Sequence, residues 1–177
     1  MIIPGIVISI LTFPGVIVHE LAHQLFCWLC GLKVYEVKYF QTKNPCGYVI
    51  HEATKNPIKT LLVSIGPFFV NTFLGILIIF PACLEIIVFQ DSVNVFSLIS
   101  IWLGVSILMH AFPSKQDGFV MVNQILKNKE VHILIKILTA PIILLVFVGA
   151  LGSFFWLDLG YAIVIYMMLP KMLALFF

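Results

Sequence analysis

From residue 61 to residue 89 the chain carries one charged side chain, Glu85. About 20 apolar residues suffice for a helix to cross a bilayer core, and a longer run of this kind calls for lipid as its solvent. Four more apolar stretches lie at about 2–31, 95–122, 133–156 and 159–177, the last barely long enough to cross. Charged residues are 10% of the chain and hydrophobic ones 62%, against about 25% and 45–50% in soluble domains. No water-facing coat can be assembled from so few charges. Continuous Ile, Leu, Val and Phe runs also exclude the short alternating strands of an outer-membrane barrel. The expected fold class is an all-α polytopic membrane protein, with about five transmembrane helices in a lipid bilayer.

The lysines orient these helices. Lys33, Lys38, Lys43, Lys55 and Lys59 fall between the first and second stretches, and Lys127 and Lys129 between the third and fourth. The turns near Asp91 and Asp158 hold none. Positive charge stays on the cytoplasmic side, which puts both Lys-bearing loops there and the N-terminus outside. In the first of these loops, residues 34–40 and 48–52 alternate at period two around turn formers at 42–47. That is the pattern of a small β-hairpin after the first helix, and its Tyr and Phe suit the membrane interface. No repeat or linker divides residues 1–177, so a single membrane-embedded domain is expected. Residues 1–18 lack a basic start and a small-residue cleavage site, and read as a retained helix. All ten basic residues are Lys, which argues against a nucleic-acid surface. The four cysteines show no secreted disulfide spacing, and Cys27-x-x-Cys30 reads as small-residue packing on an apolar helix. Gly66 and Gly75 read as close-packing positions.

One of the apolar stretches contains His19-Glu20-Leu21-Ala22-His23. A spacing of four sets both imidazoles on one helical face, a turn apart, where they can share a metal ion. Glu20 lies within reach of a water on that metal. Ionisable groups inside a membrane helix cost about 2.5–3.5 kcal/mol each on insertion scales and mark function by default. A catalytic zinc takes three protein ligands and keeps a fourth position for water.

Depth selects the third ligand from Asp117, His110, Glu85, His51, Glu130 and Asp158. At 1.5 Å per residue from Gly31, His23 lies about 12 Å and His19 about 18 Å inside. Asp117, ten residues before Lys127, lies about 15 Å from the same face. Glu85 and Asp158 belong toward the opposite face, and His51 and Glu130 to the loops. Asp117 is therefore the expected ligand. His110 stands as an alternative ligand, a hydrogen-bond donor to substrate, or a buried polar contact. Pro113 and Gly118 break the third helix at this depth, where unwound backbone is tolerated if it lines a cavity or packs on protein. The other arrangement is a short third helix ending at Phe112, followed by a cytoplasmic loop.

Three segments in this order resemble the site-2 protease family of intramembrane zinc metalloproteases, as a divergent, minimal member. They are His19-Glu20-Leu21-Ala22-His23, Gly66-Pro67-Phe68-Phe69-Val70-Asn71, and the stretch from Pro113 to Asp117-Gly118. The Cys46-Gly47-Tyr48-Val49 stretch is also similar to the Gly-containing sheet after the family's first core helix. The resemblance covers about residues 10–125 and leaves about 133–177 as additional helices. Three features depart from it: His110 stands where the family has Asn, the gap from Pro113 to Asp117 is one residue shorter, and Phe119 replaces a second Gly.

The resemblance implies a Zn²⁺ held by His19, His23 and Asp117, with Glu20 as general base. It also implies Asn71, and by extension His110, as donors to substrate or oxyanion; interhelical bonding is the other reading of Asn71. The implied partners are transmembrane segments of membrane protein substrates, cleaved near the cytoplasmic side of a bacterial or archaeal cell membrane. Bacterial relatives of this kind clip membrane-tethered regulators. An unwound substrate strand can pair with the hairpin by strand addition. The alternatives are a catalytically silent relative that binds clients through the same fold, and a metal transporter. The transporter is disfavoured by the few polar groups at residues 1–18 and 72–90.

Overall fold

The computed structural model describes residues 5–173. Prolines and caps decide where its elements begin and end. The first apolar stretch is cut in two: α1 (Gly5–Leu11) and α2 (Phe13–Leu29) meet at 90°. Pro14 lacks an amide donor, and the Gly15 amide bonds back to the Thr12 carbonyl at 3.0 Å. The Leu11 carbonyl accepts instead from the Trp102 indole at 3.1 Å. The second stretch is α3 (Pro57–Cys83), which runs on as a π-helical turn (Leu84–Val88). Asn56 caps its start by accepting from the amides of Ile58 at 2.9 Å and Lys59 at 3.3 Å. Pro57 occupies the first turn, where no donor is needed.

The third stretch contains α4 (Val95–Met109), a break at 110–114, and α5 (Lys115–Met121) continued by a π-helical turn (Val122–Leu126). The break thus comes earlier than the expected 112–118, and Asp117 lies inside a helix. Ser114 is the reason, since it caps a new helix at once (below). The last two elements are α6 (Ile133–Gly152) and α7 (Leu157–Leu173).

The protein is mostly helical, with a small two-stranded sheet and two to three candidate membrane spans. Pro57–Val88 and Ile133–Phe155 are long and apolar enough to cross a bilayer, and the bent α1–α2 pair makes a third if it is one span. Five spans are not reached by this measure. The shortfall has a local cause, because α4 has 15 residues and stops at a break. The N-terminal Met1, expected outside, and the end of the fifth stretch at 174–177 lie beyond the described residues.

The hairpin is present: β1 (Val34–Lys38) pairs antiparallel with β2 (Tyr48–His51), Val37 opposite Val49 and Lys38 opposite Tyr48. The hairpin folds back along α2, with the Tyr39 hydroxyl bonded to Gln24 and the Phe40 ring 5.8 Å from that of Phe13. Phe13 lies about 24 Å along the helix from Leu29. Apolar Phe40 gains more against Phe13 of α2 than in water.

Without a solvent-driven hydrophobic effect between helices in lipid, close contact between small residues holds a membrane bundle together. The α3–α4 crossing shows this: a Cβ at Gly75 would meet Leu108 Cγ at 2.6 Å, and one at Gly104 would meet Ile79 Cβ at 2.6 Å. A Cβ at Gly66 would meet the Phe26 ring at 2.3 Å, in line with the packing expected at both Gly66 and Gly75. Large exposed apolar residues such as Phe73, Phe96, Leu138 and Leu144 form the outer surface. The two Lys-bearing loops share one end of the bundle, where Lys55 and Glu130 approach to 3.8 Å. An exposed pair of this kind adds little stability, but its closeness shows that the two loops lie at the same end.

Candidate metal centre

α2 brings His19, Glu20 and His23 into the bundle, each less than a tenth exposed. α5 brings Asp117 against them. One ligand atom from each of His19, His23 and Asp117 lies within 4.8 Å of the others, and this is the one such triad among the described residues. His23 Nε2 is 3.2 Å from His19 Nε2 and 3.5 Å from Asp117 Oδ1. The three groups expected from motif and depth therefore meet.

The far nitrogen of each imidazole identifies the tautomer. His19 Nδ1 lies 2.7 Å from the His110 carbonyl oxygen, and His23 Nδ1 lies 2.9 Å from that of Val63. A carbonyl only accepts, so both Nδ1 atoms carry protons and donate. In the neutral rings both Nε2 lone pairs then face one another and the Asp117 carboxylate. Three acceptors so arranged can share a cation. Imidazole and carboxylate donors at this spacing, each ring backed by a carbonyl, match the outer-shell pattern of zinc-binding histidines. The donor set fits a divalent metal.

Asp117 is oriented by a capping box. Its Oδ2 accepts from the Ser114 amide at 2.7 Å and the Ser114 hydroxyl at 2.6 Å, and its own amide donates to Ser114 Oγ at 3.2 Å. One carboxylate oxygen is thus occupied and Oδ1 is left for the histidines. Ser114-Lys115-Gln116-Asp117 carries a signal for this in the sequence, the S-x-x-[DE] spacing of a helix start, although sequence reasoning did not use it.

The carbonyls behind the histidines come from breaks in their helices. Val63 O would ordinarily bond the amide of residue 67, but that residue is Pro67 and has none. The His110 carbonyl stands at the end of α4, where last-turn carbonyls lack helical partners. Neither carbonyl was foreseen, since main-chain acceptors leave no mark on the residue that bears them.

Asn71 and His110 are engaged within the protein. The Asn71 amide nitrogen donates to the carbonyls of Gly15 at 3.3 Å, Ile107 at 3.2 Å and His110 at 3.1 Å. Its side-chain oxygen is buried with no partner among the described residues. Because Thr12 Oγ1 donates to the Ile8 carbonyl at 2.7 Å, its 2.8 Å contact with His110 Nε2 is one in which the imidazole donates. Neither residue has a donor free for a substrate carbonyl in this arrangement, and the interhelical reading of Asn71 fits its bonds. It is the His110 main-chain carbonyl, rather than its imidazole, that hydrogen-bonds a member of the triad. Thr12 is a further residue that sequence reasoning missed.

The remaining candidates lie elsewhere. Glu85 bonds Ser97 Oγ at 2.6 Å and the Asn94 amide, at the turn that starts α4. Asp158 bonds the Leu159 amide at 2.9 Å in the first turn of α7. His51 bonds the Glu52 carbonyl at 2.8 Å, and Glu130 pairs with Lys55.

Glu20 lies beside the triad and beneath the hairpin. A Cβ at Gly47 would meet Glu20 Cγ at 2.5 Å and Oε1 at 3.0 Å. Gly47 therefore admits the Glu20 side chain against β2. Glu20 makes no side-chain hydrogen bond among the described residues, so its carboxylate is free to take up a proton. No family model, curated protein or solved structure matches this chain.

Proposed function

We propose that this protein is a zinc endopeptidase of the site-2 protease type, hydrolysing peptide bonds in or near transmembrane segments of other membrane proteins. The observation that carries the reading is the meeting of His19, His23 and Asp117 within 4.8 Å, from helices almost a hundred residues apart in sequence. Both imidazoles turn Nε2 inward, and an unpaired carboxylate stands one residue after the first of them.

His19, His23 and Asp117 would hold Zn²⁺, which when bound lowers the pKa of a coordinated water to about 7 and polarises a carbonyl. Glu20 accepts the proton of the attacking water as its oxygen bonds to the scissile carbonyl carbon. As the C–N bond breaks, Glu20 delivers that proton to the leaving amine. The apolar surroundings exclude bulk water and strengthen every charge interaction at the reacting atoms. The bundle is read as five crossings, with α4 and α5 one broken span, in a bacterial or archaeal cell membrane. The Lys-bearing end is cytoplasmic, with His23 about 9 Å and His19 about 15 Å from it, counting from Leu29.

A substrate helix must unwind before its peptide bonds are accessible. The hairpin alongside Glu20 offers strand edges to pair with the released backbone. Val49→Pro removes an amide donor in β2 opposite Val37 and is expected to abolish cleavage while zinc stoichiometry stays at that of wild type. Loss of both would make the hairpin structural.

The reading is tested on detergent-purified protein mixed with membrane-spanning reporter segments. Expected are one zinc per chain, cleavage within or near the reporter's apolar segment, loss of cleavage with a chelator and its return with zinc. A protein that takes up no zinc when zinc is supplied overturns the reading.

A further inference from the structure

We infer that Pro67 is a positioning residue for the metal centre: by lacking an amide hydrogen it leaves the Val63 carbonyl to His23. The inference rests on the metal-site reading above and adds to it a residue that touches neither metal nor substrate.

In an unbroken α-helix the carbonyl of residue 63 accepts from the amide of residue 67. Pro67 lies well inside α3 and is almost wholly buried. A proline in a helix interior ordinarily weakens the helix by removing that bond and crowding the carbonyl four residues back. In this helix the orphaned acceptor is used. His23 Nδ1 lies 2.9 Å from it, and the bond fixes three things: the tautomer, the ring plane, and the direction of the Nε2 lone pair toward His19 and Asp117. The adjoining Gly66 admits the Phe26 ring, three residues after His23, and so brings α2 close enough for the bond to form. The same logic recurs at His19, whose acceptor is the carbonyl at the broken end of α4. Each ligand imidazole is held by a carbonyl that a helix interruption has released.

Any other residue at position 67 supplies an amide that competes for Val63 O. Pro67→Ala also removes a helix-breaking ring, so it acts in opposite directions on helix integrity and on ligand orientation. Pro67→Val restores most of the buried bulk and supplies the same amide. Pro81→Ala, in the same helix but remote from the triad, is the control for a general effect of losing a proline.

The experiment measures zinc affinity by chelator competition, the visible absorption spectrum of the Co²⁺-loaded protein, and the thermal midpoint of the metal-free protein. Expected for Pro67→Ala or Pro67→Val is zinc binding weakened by about 10-fold or more, the scale of outer-shell losses. The Co²⁺ spectrum should shift while the metal-free midpoint is kept. Pro81→Ala should match wild type in affinity and spectrum. Wild-type affinity in both Pro67 variants overturns the inference and leaves the metal site standing. So does an equal loss in Pro81→Ala, or failure of both Pro67 variants to fold, since either makes the proline's role architectural. A wild-type protein that binds neither zinc nor Co²⁺ removes the metal site itself, and the inference with it.

Discussion

Asp117→Ala, purified in detergent beside wild type, is expected to emerge without its zinc. The triad has three protein donors, two from one helix turn and one from α5. The carboxylate is the only negative charge among them, and Ser114 occupies its other oxygen so that Oδ1 is the atom presented. Taking it away leaves two imidazoles facing each other, and affinity should fall far beyond the about 10–100-fold that outer-shell changes cost. His19→Ala is expected to do the same. The competing account of the geometry is a buried imidazolium–carboxylate pair, in which a proton on His23 Nε2 stands where the cation would. That account predicts no zinc in wild type and a loss of stability in Asp117→Ala. Full zinc occupancy in Asp117→Ala would dismiss Asp117 as a ligand.

The second large effect concerns Glu20→Gln. The two side chains are nearly equal in size, so the Gly47 contact persists and α2 is undisturbed. What goes is the capacity to carry a proton. Removal of a general acid–base group costs about 10²–10⁴-fold in rate, and cleavage of a membrane-spanning reporter should fall by that factor with one zinc still bound. The same variant separates the enzyme from a silent client-binding protein. A binder keeps its clients and its phenotype when Glu20 becomes Gln, and its wild type cleaves nothing. Cleavage at the wild-type rate in Glu20→Gln would take the residue out of the chemistry.

Legibility in the sequence divides along physical lines. The apolar stretches, the hairpin pairing and the meeting of His19, His23 and Asp117 were readable, because side-chain periodicity and helical rise are properties of the sequence itself. The 90° bend between α1 and α2 was only hinted at by Pro14, since how far the chain turns there depends on distant partners; the Leu11 carbonyl, which the Gly15 amide leaves for Thr12, is received by Trp102. Where the break in the third stretch ends depends on Ser114, whose capping box with Asp117 starts α5 sooner than Pro113 and Gly118 suggest. The hairpin's descent along α2 was not readable. It is decided by tertiary contacts of Tyr39, Phe40 and Gly47, and local patterning carries no record of those. Asn71 and His110 stand out in the sequence as polar groups in an apolar setting. Only the directions of their bonds, inward to carbonyls and to Thr12, separate a clamp from a substrate donor.

Holding both imidazoles by main-chain oxygen has a consequence for how such a centre tolerates change. A carboxylate or amide side chain in that role would be lost with one substitution, and the ring would turn. Positions 63 and 110 can exchange their side chains freely as far as ring orientation is concerned, because every amino acid brings the same carbonyl. Mutational sensitivity is displaced to wherever the backbone is kept open: to Pro67 one turn along, and to the residues that end α4. On the metal-site reading, zinc affinity should therefore tolerate substitutions at Val63 that keep its buried packing against Cys27 and Leu32, and should fall with substitutions four residues away.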